Sequence, residues 1–129
     1  MKILIAYDKN ISTSKVMDQA FLRAKKLGAY VYLARTCAPD TKLRTIKQLE
    51  SQLEELGQEI FVSHGVECET HVLIRGLTPA EDIVWYAKEK QVDEIIIGIK
   101  KKSKVGKLVF GSTAQYIILE AHCPVLSVK

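Results

Sequence analysis

The sequence predicts an α/β fold, a three-layer α/β/α sandwich around a five-stranded parallel sheet. Nearly continuous apolar runs, such as KILIAY at 2–7, read as strands covered on both faces, the habit of a parallel sheet. Between them lie stretches with apolar residues at three- and four-residue spacing, which read as amphipathic helices. The two signals alternate as β-α-β-α-β-α-β-α-β, and that order selects parallel strands joined by helical crossovers.

Taken in order, 2–7 forms the first strand, and Asp8 follows its carboxyl end. Ser12 or Ser14 caps a helix carrying Val16, Ala20, Ala24 and Leu27, and Gly28 stops it. Residues 30–34, YVYLA, make the second strand. Asp40 or Thr41 opens a longer helix with Leu43, Ile46, Leu49, Leu53, Leu56 and Ile60 on one stripe, and His64-Gly65 ends it. Residues 66–74 form the third strand and Gly76 turns the chain. Thr78-Pro79-Ala80-Glu81 then joins a capping box to a proline at the first helical position, with Ile83, Val84 and Ala87 facing inward. The fourth strand is 93–98. A last helix runs from Ser112 to about Ala121 with Ala114, Ile117, Ile118 and Ala121 as its packing face, and Pro124 introduces the final strand at 125–128.

A chain of 129 residues fits one domain, 1–129, and can bury a sizeable core. Its net charge of +4 is unevenly placed: residues 98–129 carry six lysines against Glu120, so the basic character is local to one loop. That placement favours a phosphate-bearing small molecule or a protein surface over a nucleic-acid groove, which needs basic residues spread along a face with stacking aromatics. Cys37, Cys68 and Cys123 show no CxxC pair and no metal spacing to His64, His71 or His122, and read as reduced, mostly buried thiols. With no signal-peptide pattern and no run of 18 apolar residues, the expectation is a soluble cytoplasmic protein without membrane or nucleic-acid partners.

In such sheets a ligand sits beyond the carboxyl ends of the strands, where the strand order reverses. If the first and fourth strands are central neighbours, Asp8 and Gly98 meet there. Gly98 lets a ligand approach the backbone, and Gly111-Ser112-Thr113 opens a helix whose unpaired amides and dipole favour an anion. Lys100, Lys101, Lys102, Lys104 and Lys107 add positive potential. The competing interpretation makes Gly98 a tight turn, Ser112 an ordinary cap and the lysines a solvated loop. No GxxxxGK[ST] occurs and no GxGxxG follows the first strand, so a P-loop NTPase or a standard dinucleotide enzyme is poorly supported.

The combination resembles the universal stress protein family, whose nucleotide loop is written G-x-x-G-x(9)-G-[S/T]. The matching run is Gly98-Ile99-Lys100-Lys101, nine residues, then Gly111-Ser112; Asp8 after ILIAY, LTPAEDI, DEIIIG and HCPVLSV extend the likeness over the whole chain. The resemblance implies a Rossmann-like sheet of order 3-2-1-4-5 with ATP or AMP in the crevice. By position it places Asp8 near the adenine and ribose, with Mg²⁺ reachable through the nucleotide, and lets the ribose pass Gly98. Gly111, Ser112 and Thr113 then hold the phosphates, and the adenine is lined around Val31 to Ala34 and Val72. The family's second glycine is Lys101 here. A positive φ at that position would strain a lysine by about 1 kcal/mol, whereas its ammonium would attract a phosphate.

No Ser-His-Asp or Cys-His arrangement stands out. His64 and His71 read as surface or edge residues, His122 as a dipole-stabilised residue in the last helical turn, and Cys123 as core. Of Trp85 and Tyr86, one packs and the other is partly exposed. Asp8 alone among the carboxylates is placed to hold Mg²⁺ or orient water, so hydrolysis is expected to be slow or absent. The final strand, Val125, Leu126, Ser127 and Val128, is an uncovered apolar edge, and pairing with a second copy would remove it; the family's dimers imply the same homodimer. The expected function is a stress-response or regulatory protein that binds ATP or AMP. Its alternatives are a dimeric protein-interaction module of the same fold without nucleotide and a small enzyme acting on a phosphorylated substrate.

Overall fold

The computed structural model describes residues 1–11, 13–74, 76–99 and 111–129. Five strands form one parallel sheet: β1 (Lys2–Ala6), β2 (Tyr30–Thr36), β3 (Cys68–Leu73), β4 (Glu94–Gly98) and β5 (Val125–Val128), in the order β3-β2-β1-β4-β5. Their register runs Ile5 beside Leu33 and Ile96, so the apolar cores of the three central strands lie level. Four helices connect them: α1 (Thr13–Leu27), α2 (Leu43–Ile60), α3 (Pro79–Lys90) and α4 (Ser112–Glu120).

Alternation along each strand sends its side chains to two separate cores. Ile3, Ile5, Val31, Leu33 and Ile96 meet Val16, Met17, Ala20 and Ala24 of α1 and Leu53 of α2. On the other face Leu4, Ala34, Ile95 and Ile97 meet Ile83, Tyr86 and Ala87 of α3 and Ala114 and Ile117 of α4. The sheet is therefore covered on both sides, which is why its central strands are apolar at nearly every position. No helix among the described residues is long and apolar enough to cross a membrane.

Several expected boundaries move. β2 continues through Arg35 and Thr36, because β3 pairs with both of them. Ser14 lies inside α1, and the other expected cap, Ser12, lies outside the described residues. Neither Asp40 nor Thr41 caps α2. Thr41 donates its hydroxyl to the Ala38 carbonyl at 2.6 Å, and Lys42 takes the cap position with no side-chain bond. Leu43, expected on the buried stripe, is exposed at that first turn, and Ile118 of α4 is also exposed. The capping motif of α3 forms as read: the Glu81 amide donates to Thr78 Oγ1 at 3.3 Å and the Thr78 hydroxyl to Glu81 Oε1 at 2.8 Å. Of the aromatic pair on this helix, Tyr86 is buried and Trp85 exposed.

At the last helix Gly111, not Ser112, is the cap, and α4 stops at Glu120. His122 therefore lies beyond the final helical turn, and its Nε2 is 3.1 Å from the Val92 carbonyl. All three cysteines are half-buried rather than mostly buried. Burial, then the charge of Glu69, pushes the Cys68 thiol up to about 12, so it is unreactive at neutral pH.

Candidate functional site

The reversal of strand order falls between β1 and β4, and a crevice of about 560 Å³ opens there at the carboxyl ends of the sheet. Tyr7 and Asp8 come from just beyond β1, Ile97 to Ile99 from the end of β4 and the residue after it, and Gly111 to Ala114 from the start of α4. Pro79 and Ile83 of α3 form one wall. The topology thus brings Asp8, Gly98, Gly111, Ser112 and Thr113 to one place, although up to 105 positions separate them. Lys101, the sixth residue singled out in the sequence, lies outside the described residues with the other loop lysines.

Asp8 sits where β1 gives way to an exposed turn. Its Oδ1 accepts the Asn10 amide at 2.9 Å, which fixes the carboxylate. Among the described residues no hydrogen bond uses the other oxygen, which leaves it available to a hydroxyl or a hydrated cation. Asp8 is the one carboxylate among the described residues of the lining, and no histidine joins it there.

The first turn of α4 supplies the opposite polarity. Gly111 caps it in extended conformation, φ −62° and ψ 158°, without a side-chain cap bond. The helix's own bonds begin with the Gln115 amide donating to the Gly111 carbonyl, so the amides of Ser112, Thr113 and Ala114 lack helical partners. With the positive end of the helix dipole and two exposed hydroxyls, this turn is suited to an anion.

Gly98 has two roles in this geometry. Its backbone lines the crevice, while a Cβ there would stand 2.7 Å from the γ-methyls of both Ile11 and Val16. The missing side chain is thus required by the approach of α1, independently of any ligand.

The Universal stress protein family profile matches residues 1–129. The chain belongs to that family. A universal stress protein structure from Archaeoglobus fulgidus is 35% identical, with a TM-score of 0.85 over 100% of this chain and 98% of the other. A universal stress protein from the same organism, in complex with dAMP, is 32% identical, with a TM-score of 0.81 over 100% of this chain and 98% of the other. Among curated relatives, the universal stress protein in the QAH/OAS sulfhydrylase 3′ region of Thermus aquaticus is 29% identical over 134 residues, covering 98% of this chain and 97% of the relative.

Within this universal stress protein, the β2 side of the crevice differs from the sequence expectation. Val31 to Ala34 are sealed in the sheet and Val72 packs against the core on the α1 and α2 face, so none of them reaches the crevice. Arg35 and Thr36 line it instead. The apolar run YVYLA signalled the strand but stopped one residue short of them. Extending β2 to its carboxyl end, where ligands sit, was the available clue. Arg35 Nε is shielded from solvent and has no acceptor among the described residues, and its guanidinium carbon is 5.7 Å from the Tyr7 ring centroid. An orphaned donor of this kind costs about 1–3 kcal/mol unless an acceptor arrives.

The histidines lie apart from the crevice lining. His71 Nε2 faces Glu69 at edge strand β3, and His64 Nδ1 is 3.0 Å from Ser63 Oγ.

Proposed function

We propose that this universal stress protein is a regulatory protein that binds an adenine nucleotide, ATP or AMP, in the crevice between β1 and β4, with little or no hydrolysis. The observation that carries the reading is the meeting of a fixed carboxylate, Asp8, with the open first turn of α4. Phosphate oxygens accept from the amides of Ser112 and Thr113 and from the Ser112 hydroxyl, while Asp8 accepts from the ribose and can hold Mg²⁺ through the nucleotide. The dAMP complex of the 32% identical Archaeoglobus protein supports the same ligand class. Lys101 belongs to this proposal as a phosphate partner. Little hydrolysis is expected because one carboxylate without a neighbouring base positions water poorly.

Calorimetric titration with AMP, ATP and ATP with Mg²⁺ tests the reading. Saturable binding below millimolar concentration, weakened about tenfold by Asp8→Ala, is expected from the loss of one charge-assisted hydrogen bond. Absence of saturation at millimolar nucleotide overturns it. The homodimer belongs to the same proposal: β5 is an edge strand, and α4 exposes Tyr116, Ile118 and Leu119. Pairing through Val125 to Val128 would cover that edge. Sedimentation of Leu126→Lys against the unaltered chain tests it, a shift from dimer to monomer being expected.

A further inference from the structure

Arg35 is a crevice residue whose buried Nε donor has no acceptor among the described residues and which the phosphate and ribose contacts proposed above do not use. It stands at the end of β2, with β1 between it and β4. Two strand spacings make roughly 10 Å, so Arg35 lies at the far end of the crevice from the anion-binding turn. If the phosphate occupies α4 and the ribose lies over Asp8, the base comes to Arg35 and Thr36. This step rests on the nucleotide reading above.

A guanidinium offers donors and no acceptor. Guanine presents O6 and N7 as adjacent acceptors, which match a fork of two N–H groups, whereas adenine sets its N6 donor beside N7. The Tyr7 ring, 5.7 Å from the guanidinium carbon, helps to hold the group at the wall, and Nε has no acceptor among the described residues. We infer that Arg35 is a base-reading residue that admits guanine nucleotides to this crevice alongside adenine ones, the class of ligand being purine nucleotides.

Calorimetric titration of the unaltered protein with AMP, GMP and 7-deaza-GMP tests this, with Arg35→Met as the companion variant. GMP is expected to bind within about threefold of AMP or more tightly, and 7-deaza-GMP about tenfold more weakly than GMP. Arg35→Met is expected to weaken GMP about tenfold and AMP less than about threefold. Saturable AMP with GMP more than about thirtyfold weaker overturns the assignment, as does an equal loss of both nucleotides in Arg35→Met. If that variant fails to fold, the ratio of GMP to 7-deaza-GMP on the unaltered chain decides: a ratio near one overturns it. Failure of AMP and GMP alike to bind overturns the nucleotide reading and this inference with it.

Discussion

Gly98 and Val16 are in contact across the top of the sheet so closely that a Cβ on the glycine would stand 2.7 Å from Val16 Cγ2. Ile11 Cγ2 would be equally near. Both neighbours are β-branched and stiff at χ1, so neither can swing aside cheaply. Gly98→Ala is therefore expected to destabilise the free protein by about 1–3 kcal/mol through overpacking. Urea denaturation without nucleotide checks this. A stability equal to that of the unaltered chain would show that α1 yields, and would return Gly98 to a purely ligand-facing role.

The contact also shows what the sequence could and could not disclose. Thr78, Pro79 and Glu81 announced the start of α3 because a cap is a local matter of three or four residues. The strands were legible because β1, β2 and β4 are buried on both faces and read as apolar runs. Gly98 drew notice in the sequence as a place for a ligand to approach, yet its packing against Val16 did not, since Val16 is 82 positions away and meets it only through the crossover of α1. Gly57 went unnoticed for the same reason: a Cβ there would stand 3.0 Å from Thr70 Cγ2 on β3. Arg35 was passed over because a charged residue at the end of an apolar run looks like the end of the strand, while pairing with Val72 continues it.

A pH-sensitive cluster lies on edge strand β3. Tyr30 donates its hydroxyl to Glu69 Oε1 at 2.8 Å, and His71 Nε2 faces the other carboxylate oxygen. Burial pushes the Glu69 carboxyl up, but hydrogen bonding to His71 and Tyr30 and the His71 and Lys90 charges outweigh it and hold it below its ordinary value. The bond to Glu69, then burial, pushes the Tyr30 hydroxyl up to about 12. Glu69 thus stabilises the fold above its unfolded-state pKa, and the contribution is lost as pH falls through the lower folded value. Tyr30's contribution is full below about pH 10 and is lost as pH rises through about 12. Glu69→Gln is expected to cost about 1 kcal/mol at neutral pH and less at an acid pH below the carboxyl's lowered folded value, where the carboxyl too is neutral. Denaturation at the two pH values checks it, and an equal cost at both would rule out the ionised cluster.

Beneath the central strands, Arg23 of α1 grips Glu94 with two hydrogen bonds, one from Nη2 to Oε2 at 2.7 Å and one from Nε to Oε1. The Glu94 side chain is 6% exposed and that of Arg23 42%, so the carboxylate depends on a partner that water still reaches. Removing the guanidinium with Arg23→Met leaves a nearly buried charge. The expected loss is about 2 kcal/mol, below the 3–5 kcal/mol typical of fully buried pairs because solvent screens this one. Arg23→Met with Glu94→Gln should recover part of it. A double variant no more stable than Arg23→Met would show that the charge was not the cause.

Gly111 makes the opposite case to Gly98 within the same motif. Its φ of −62° is open to any residue, and a Cβ built there meets nothing within 4 Å among the described residues. Neither backbone strain nor packing among those residues asks for glycine, so among them none stands where a ligand would approach the first turn of α4. Gly111→Ala is expected to change the stability of the free protein by less than about 1 kcal/mol, because the freedom lost by the unfolded chain offsets the poorer helix cap that alanine makes. Under the nucleotide reading the added methyl crowds the phosphate, and affinity should fall about tenfold, near 1.4 kcal/mol. Gly98→Ala weakens the fold first, whereas Gly111→Ala separates binding from stability. Denaturation and calorimetric titration of this one variant therefore test where the phosphate lies: full stability with unchanged affinity would move it away from the start of α4.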